Sequence, residues 1–406
     1  MAEQLTERAR GRWSALPAAA RIGILYLAAR LVTTGFLLLA SALSGPASRF
    51  GADATIGTLT MGWDAAWYGF VAQTGYPAVL PLTDAGLVAE NQWAFLPLYP
   101  YLAGAMGTVL GGWPVAAVVI SVVAGYGAAY VLYRMLRMRM DRAAATWATV
   151  FFSAGPLAAL FQLGYAESLF LLWLFLALWL VMRRQYGWLY ALLPVMGFTR
   201  PGILAFSLFL ALFGIARWVR RRVEPLGRRE IVHIVVLGLW AAVIGFAWQV
   251  IAGLVTGDMG AYLATELSWR RNWIPDAAGG FVPFEGFLTA TAFWSTLWGW
   301  PVAVGYVALA AVVAAIAGAL LFAPPVRRLG IEIRLWSASY LLYLVAVFFP
   351  QSSIFRLLVP ISPLWGAFAV PRRTGWRVGV LVTGLALQWW WIYNMYALAN
   401  TIWQIP

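Results

Sequence analysis

Five charged side chains of this sequence stand where charge is expensive. Asp64 lies in GWDAAWY, Glu90 in AENQWAFLPLYP, Glu167 in GYAESLF, Arg200 in TRPG and Arg356 in QSSIFRLLVP. All five adjoin apolar or aromatic runs, where an ionised group needs a partner or a task to offset its burial. A carboxylate in such a place is suited to general-base work. A guanidinium offers a planar fork of donors that matches a phosphate. Each residue also has a plainer reading. Asp64 suits a helix cap, Glu167 suits dipole compensation in a first helical turn, and Glu90 suits a solvated loop acid. Arg200 and Arg356 equally fit headgroup binding or an interhelical ion pair, with Glu167 as the available acid.

The solvent around these residues follows from composition. Of 406 residues 63% are hydrophobic and only 11% charged, where a soluble domain carries roughly a quarter. The mean hydropathy is +0.78, and the apolar runs approach the ~20 residues that cross a bilayer. The net charge of +13 invites a nucleic-acid reading, yet all 28 basic residues are arginines gathered in short clusters between apolar runs. Membrane topology accounts for that pattern, so no nucleic-acid partner is expected. There is no cysteine, which excludes disulfides and thiolate chemistry, and the single histidine, His233, excludes a histidine-rich metal site. The basic start, residues 1–21, is too polar for a signal peptide, and Ile22 to Leu43 reads as a retained first span.

The arginines decide which apolar runs cross. Phe95 to Gly112 is apolar enough to span but carries Pro97, Pro100 and several glycines. If it crosses, the cluster Arg134, Arg137, Arg139, Arg142 falls outside; if it stays at the outer interface, the basic clusters share one face. The second choice predicts about eleven transmembrane helices, near 22–43, 114–133, 143–162, 167–182, 186–199, 202–219, 231–254, 301–322, 335–349, 356–370 and 377–398. It places 22 arginines in the cytoplasm, including Arg8, Arg10, Arg12, Arg217 and Arg334, and five outside: Arg49, Arg200, Arg270, Arg271 and Arg356. Arg30 remains inside the first helix as a snorkelling side chain. Nine of the fifteen acids fall outside: Asp53, Asp64, Asp84, Glu90, Glu167, Asp258, Glu266, Asp276 and Glu285.

The fold expected is therefore all-α and polytopic, a single membrane domain over 1–406. Two long outer loops, 44–113 and 255–300, are rich in aromatics and glycine. Trp63 to Tyr76 predicts a short interfacial helix in the first.

In three blocks the sequence resembles the PIG-V-type mannosyltransferases, within the GT-C class of polytopic glycosyltransferases. The densest is Trp63-Asp64-Ala65, Gly75-Tyr76, Glu90 and Ala94-Phe95-Leu96-Pro97-Leu98-Tyr99-Pro100. The second runs from Gly155-Pro156 through Tyr165-Ala166-Glu167-Ser168-Leu169-Phe170, and the third is Thr199-Arg200-Pro201-Gly202. Arg356 is similar to an arginine in the family's C-terminal part. Two departures stand out: the segment between Tyr76 and Glu90 is longer, and Arg200 lacks the family's Ser-Asn neighbours.

The resemblance implies a GT-C-like fold and transfer of a sugar, mannose first, from a polyprenyl-phosphate carrier to a hydroxyl of a glycolipid or glycan on the outer face. It assigns the catalytic base to Asp64. Arg200 and Arg356 would hold the phosphate, Glu167 would orient an arginine or meet the sugar, and Glu90 would bind a sugar hydroxyl or assist Asp64. Trp63, Tyr68 and Trp93 would line the sugar site. No cofactor is demanded; a divalent metal is compatible with the outer acids but not indicated. The plasma membrane is the expected location, with the N-terminus cytoplasmic and the active site periplasmic or extracellular. The rivals are a GT-C enzyme with another carrier-linked sugar and, from a different class, a lipid or solute transporter, which would carry ionisable groups near the bilayer midplane.

Overall fold

The computed structural model describes residues 15–274, 280–399 and 404–406. Arg8, Arg10, Arg12 and Asp276 lie outside the described residues. Those described form an all-helical protein, with one isolated antiparallel bridge between Leu82 and Val88.

Four helices are long and apolar enough to cross a bilayer: Ala18–Leu43, Trp113–Leu136, Arg228–Thr256 and Val302–Phe322. Three apolar stretches are shorter, Glu167–Met182, Ile203–Val219 and Val359–Ala369. Helices also lie within four further expected spans, at Arg142–Ala154, Leu189–Gly197, Ile331–Val347 and Thr374–Ile392, so of the eleven expected spans four are helices of spanning length among the described residues. Phe95 to Gly112 holds a 13-residue helix, Leu98–Leu110. At roughly 20 Å it equals Arg142–Ala154 in length, and neither helix alone covers the ~30 Å hydrocarbon core. The expected interfacial helix is Asp64–Thr74, and the second outer loop carries two more, Ala261–Ser268 and Glu285–Leu297.

The chemistry of each run explains its helix. Trp113–Leu136 is rich in small residues, and its glycines let two neighbours approach: Gly127 meets Leu172 of Glu167–Met182, and Gly125 meets Tyr26 of Ala18–Leu43. Val302–Phe322 buries only Gly305 and Leu320; an apolar helix so little covered by protein faces lipid. Prolines shorten others. The expected span 356–370 is instead a turn at Ile354–Leu357, a 3-10 stretch at Val359–Leu364 holding Pro360 and Pro363, and a turn at Trp365–Ala369. Proline removes ladder donors and clashes with the preceding turn, which breaks the run.

Ion pairs trace two separate faces. Six join loops expected on the cytoplasmic side, such as Arg139 to Glu332, Arg217 to Glu230 and Arg372 to Asp141. Four join residues expected outside, and among the described residues none links the two sets.

Arg30 is a correction. It does not snorkel: it is buried and donates to the carbonyls of Ser153 and Ala158, with Gln162 Oε1 at 3.4 Å. Those carbonyls flank the Gly155-Pro156 break, where the end of helix Arg142–Ala154 leaves acceptors without intrahelical donors. Replacing the guanidinium exposes that deficit. Arg30→Met is expected to cost roughly 1–3 kcal/mol for each acceptor left unpaired, read as a lowered unfolding temperature in detergent; an unchanged temperature would show that the bonds carry no weight.

Candidate active site

Four of the five singled-out residues meet at one place, each delivered by a different part of the chain. Asp64 and Glu167 are the first residues of their helices, Asp64–Thr74 and Glu167–Met182. The cap positions fall to Trp63 and Ala166, so Asp64 is not the helix cap its sequence suits; both acids stand in the first turn, the place expected for Glu167. Arg200 sits in the turn between Leu189–Gly197 and Ile203–Val219, where Pro201 stops the helix and Gly202 takes φ 138°, a value that disfavours any side chain. Arg356 lies in the turn Ile354–Leu357.

The approach of these segments is close. Gly164 N–H donates to the Thr60 carbonyl at 2.9 Å. A Cβ on Gly164 would lie 2.7 Å from Met61 Cε and 3.1 Å from Ala65 Cβ, so glycine there lets the Asp64 helix rest on the loop that leads into Glu167. The residue before Asp64, Trp63, has φ 54° and ψ −124°, a sparsely populated backbone for a non-glycine residue and the kind of strain that gathers at functional sites.

The charges run as a chain. Glu167 Oε1 lies 3.3 Å from Arg200 Nη2 and 3.5 Å from Arg356 Nε, and Arg356 Nη1 donates to Asp64 Oδ2. Glu167, Arg200 and Arg356 are all buried, whereas the Asp64 side chain is 28% exposed, so the solvent-reachable end of the chain is the Asp64 carboxylate. Two arginines face two acids, and the formal sum is zero. The interhelical ion-pair reading of Arg200 and Arg356, with Glu167 as the available acid, is therefore the arrangement found, and Asp64 joins it. The pairing is incomplete, because Glu167 Oε1 and Arg356 Nε are buried without a well-aligned hydrogen bond. Tyrosines frame the group. Arg356 Cζ is 5.4 Å from the Tyr165 ring centroid, the Tyr165 and Tyr396 hydroxyls are 3.1 Å apart, and the Tyr340 hydroxyl, which donates to the Leu357 carbonyl, lies beside Arg200.

The remaining expected residues behave differently. Tyr68 adjoins the cluster, and the fields of Glu167 and Asp64 join burial in raising its hydroxyl pKa well above the ordinary tyrosine value. Its ring is enclosed by Phe95 and Tyr99. Trp63 is engaged elsewhere, with Nε1–H donating to the Met395 carbonyl and Arg49 over its ring. Trp93 is only 1% exposed, stacked among Tyr76 and Trp248, which corrects the view that it lines a ligand site. Glu90 accepts a 2.6 Å hydrogen bond from Asn272 and, among the described residues, forms no ion pair. It pins the first outer loop to the second.

One acid that sequence reading placed outside but gave no role also comes here. Glu266, on helix Ala261–Ser268, is exposed, while protein groups crowd its carboxyl. Enclosure, with the field of Asp64 adding to it, raises its pKa to about 7, against the opposing bond from the Tyr262 hydroxyl. The Tyr262–Glu266 spacing of four residues on one helix was the available signal.

The chain is thus a polytopic helical membrane protein whose charged centre is assembled from four remote parts of its sequence. No family model matches the sequence, and no curated protein matches it. Among solved structures it is similar to ArnT from Cupriavidus metallidurans bound to undecaprenyl phosphate, with 13% identity and a TM-score of 0.49 over 90% of this chain and 62% of that one. It is also similar to an oligosaccharyltransferase from Archaeoglobus fulgidus tethered to an acceptor peptide, with 13% identity and a TM-score of 0.37 over 93% of this chain and 55% of that one. This chain spans less than two thirds of either protein. The likenesses concern helical architecture alone, and the chemistry rests with this chain's own side chains.

The buried pair at the centre is testable by a double-mutant cycle. Glu167→Gln leaves Arg200 buried without its acid and is expected to destabilise by about 3–5 kcal/mol. Glu167→Gln with Arg200→Met is expected to recover part of that loss in thermal unfolding. Strict additivity of the two changes would mean that the residues are not coupled.

Proposed function

We propose that this protein is a GT-C-type glycosyltransferase of the PIG-V-like kind, moving a mannosyl residue from a polyprenyl-phosphate-mannose donor to a hydroxyl of a glycolipid or glycan acceptor. The observation that carries the reading is the convergence of Asp64, Glu167, Arg200 and Arg356, since these are the residues that the family resemblance marks. The active face would be the outer one, in the plasma membrane with the N-terminus cytoplasmic.

The reaction follows from the charge chain. The acceptor oxygen attacks the anomeric carbon, a new C–O bond forms as the bond to phosphate breaks, and the bonding pair leaves on the phosphate oxygen. The anomeric configuration inverts. Asp64 takes the acceptor's proton, and no cofactor is required. In the resting arrangement Arg356 is held by Asp64 and lies close to Glu167, so an arriving phosphate competes with both for the guanidinium. Drawing Arg356 onto the phosphate releases the Asp64 carboxylate just when a base is needed. Arg200, kept in place by Glu167 and Tyr340, adds a second fork toward the leaving group. Donors already aimed at developing charge need no reorganisation during the reaction.

Transfer from polyprenyl-phosphate-mannose by purified enzyme in lipid nanodiscs tests the reading. Asp64→Asn is expected to lower turnover per folded molecule by about 10²–10⁴-fold. Arg356→Lys, which keeps the charge but loses the fork, is expected to raise the donor KM by roughly tenfold or more while the acceptor KM stays put. Near-normal turnover in a folded Asp64→Asn protein would remove the base assignment. Substrate movement across the bilayer without any glycosidic product would favour transport instead.

A further inference from the structure

Helix Ala261–Ser268 packs against Arg228–Thr256 and the turn Gln92–Ala94, and Trp269, just past its end, reaches the helix that carries Asp64. Trp269 packs edge-on against Trp67 at 5.8 Å and against Phe95 at 5.9 Å, while Trp67 and Phe95 stack at 5.6 Å. Asn91 Nδ2 donates to Thr265 Oγ1 at 2.8 Å and ties the same helix to the first outer loop. The register of the two segments is informative. Trp67 follows Asp64 by three residues, and Trp269 follows Glu266 by three, so each tryptophan shares a helical side with its acid. With the tryptophans in contact, the two carboxyl groups are brought to neighbouring positions, close enough for the field of Asp64 to act on Glu266.

We propose that Glu266 is a substrate-contacting residue of this pocket, bound through a hydrogen bond to a hydroxyl of the polyol acceptor as that acceptor is presented to Asp64. The inference rests on the transferase reading above and adds the acceptor side to it. It follows from place: Arg200 and Arg356 gather around Glu167, where a phosphate would sit, whereas Glu266 stands beside the base and the substrate that yields its proton.

The protonation state fits such a role. The groups that face Glu266 are Tyr262 on its own helix, Asp64 on the helix beneath, and Tyr343 on Ile331–Val347. Among them Asp64 is the charged one, and a second negative charge beside it would repel an anionic donor as well. A neutral carboxyl instead donates one hydrogen bond and accepts others, which suits a hydroxyl. The folded-state pKa is raised, so the neutral form prevails below about pH 7 and is lost as the pH rises through that value.

The experiment measures acceptor and donor KM separately, from pH 6 to 9, for wild type, Glu266→Gln and Glu266→Ala. Wild type is expected to show an acceptor KM that climbs on the alkaline side. Glu266→Gln, which remains a neutral donor, is expected to keep an acceptor KM near the wild-type acid value and to lose the climb. Glu266→Ala is expected to raise the acceptor KM about tenfold, with the donor KM unchanged. If the alanine protein folds poorly, the pH profile of the glutamine variant decides alone. Active wild type with the same alkaline climb in Glu266→Gln, or with no effect on acceptor KM in a folded Glu266→Ala, overturns this inference and leaves the transferase reading intact. Wild type inert toward every polyprenyl-phosphate sugar overturns that reading and this inference with it.

Discussion

A carboxylate that is 2% exposed in a protein surrounded by lipid has to be matched by positive charge, and Glu167 is approached by Arg200 and by Arg356. The arrangement around the site depends on that match. The arginines come from segments that proline keeps from continuing as helix, at Pro201 and Pro360, so each guanidinium is carried on a turn that can be aimed. Glu167 starts its helix, and its charge there is favoured by the helix dipole as well as by the arginines. Removing one member would leave another charge buried and unmatched, which costs far more than losing a surface pair.

The same economy of charge shapes the rest of the molecule. Polar contacts within the bundle go where helices break: Arg30 serves the carbonyls around Gly155-Pro156, and Trp336 Nε1–H serves the Pro360 carbonyl at 2.9 Å. In lipid an unpaired backbone group has no water to turn to, so each break needs a side-chain partner. Breaks of this kind also place the functional turns. Gly155-Pro156 precedes the loop bearing Tyr165 and Glu167, and Pro201 follows Arg200. Structure that would be a liability in a membrane is kept where it presents charge.

The two long loops, expected on the outer side, are joined to each other among the described residues. Asn272 to Glu90, Asn91 to Thr265, and the contacts among Trp67, Phe95 and Trp269 join them across nearly two hundred residues of sequence. These contacts are rigid and aromatic, and they set where Glu266 stands with respect to Asp64. Aromatic side chains suit this depth because their rings are compatible with both lipid and headgroups. The loops therefore meet beside the charge chain; of their acids Glu285 pairs with Arg270 and Glu90 accepts from Asn272, while Asp53 and Asp84 are exposed.

Much of this was legible in the residues themselves. Long apolar runs, arginine clusters and proline-broken segments announce an all-helical membrane protein with two unlike faces, because burial, charge and backbone hydrogen bonding leave few alternatives in a bilayer. The candidate site was legible as a set of misplaced charges: Asp64, Glu167, Arg200 and Arg356 each violate local hydropathy, and local violations can be seen without a fold. Pairing could not be seen. Whether Arg356 bonds Asp64, whether Arg30 snorkels or turns inward, and whether Trp93 is a wall or a core residue depend on contacts between segments distant in the chain, to which local pattern is blind. Glu266 shows the limit most clearly. Its neighbours in sequence, Thr265 and Leu267, say little, and only the stacking of Trp269 on the Asp64 helix brings it to the pocket. Local pattern determined which groups need partners; packing of remote helices decided which partners they meet.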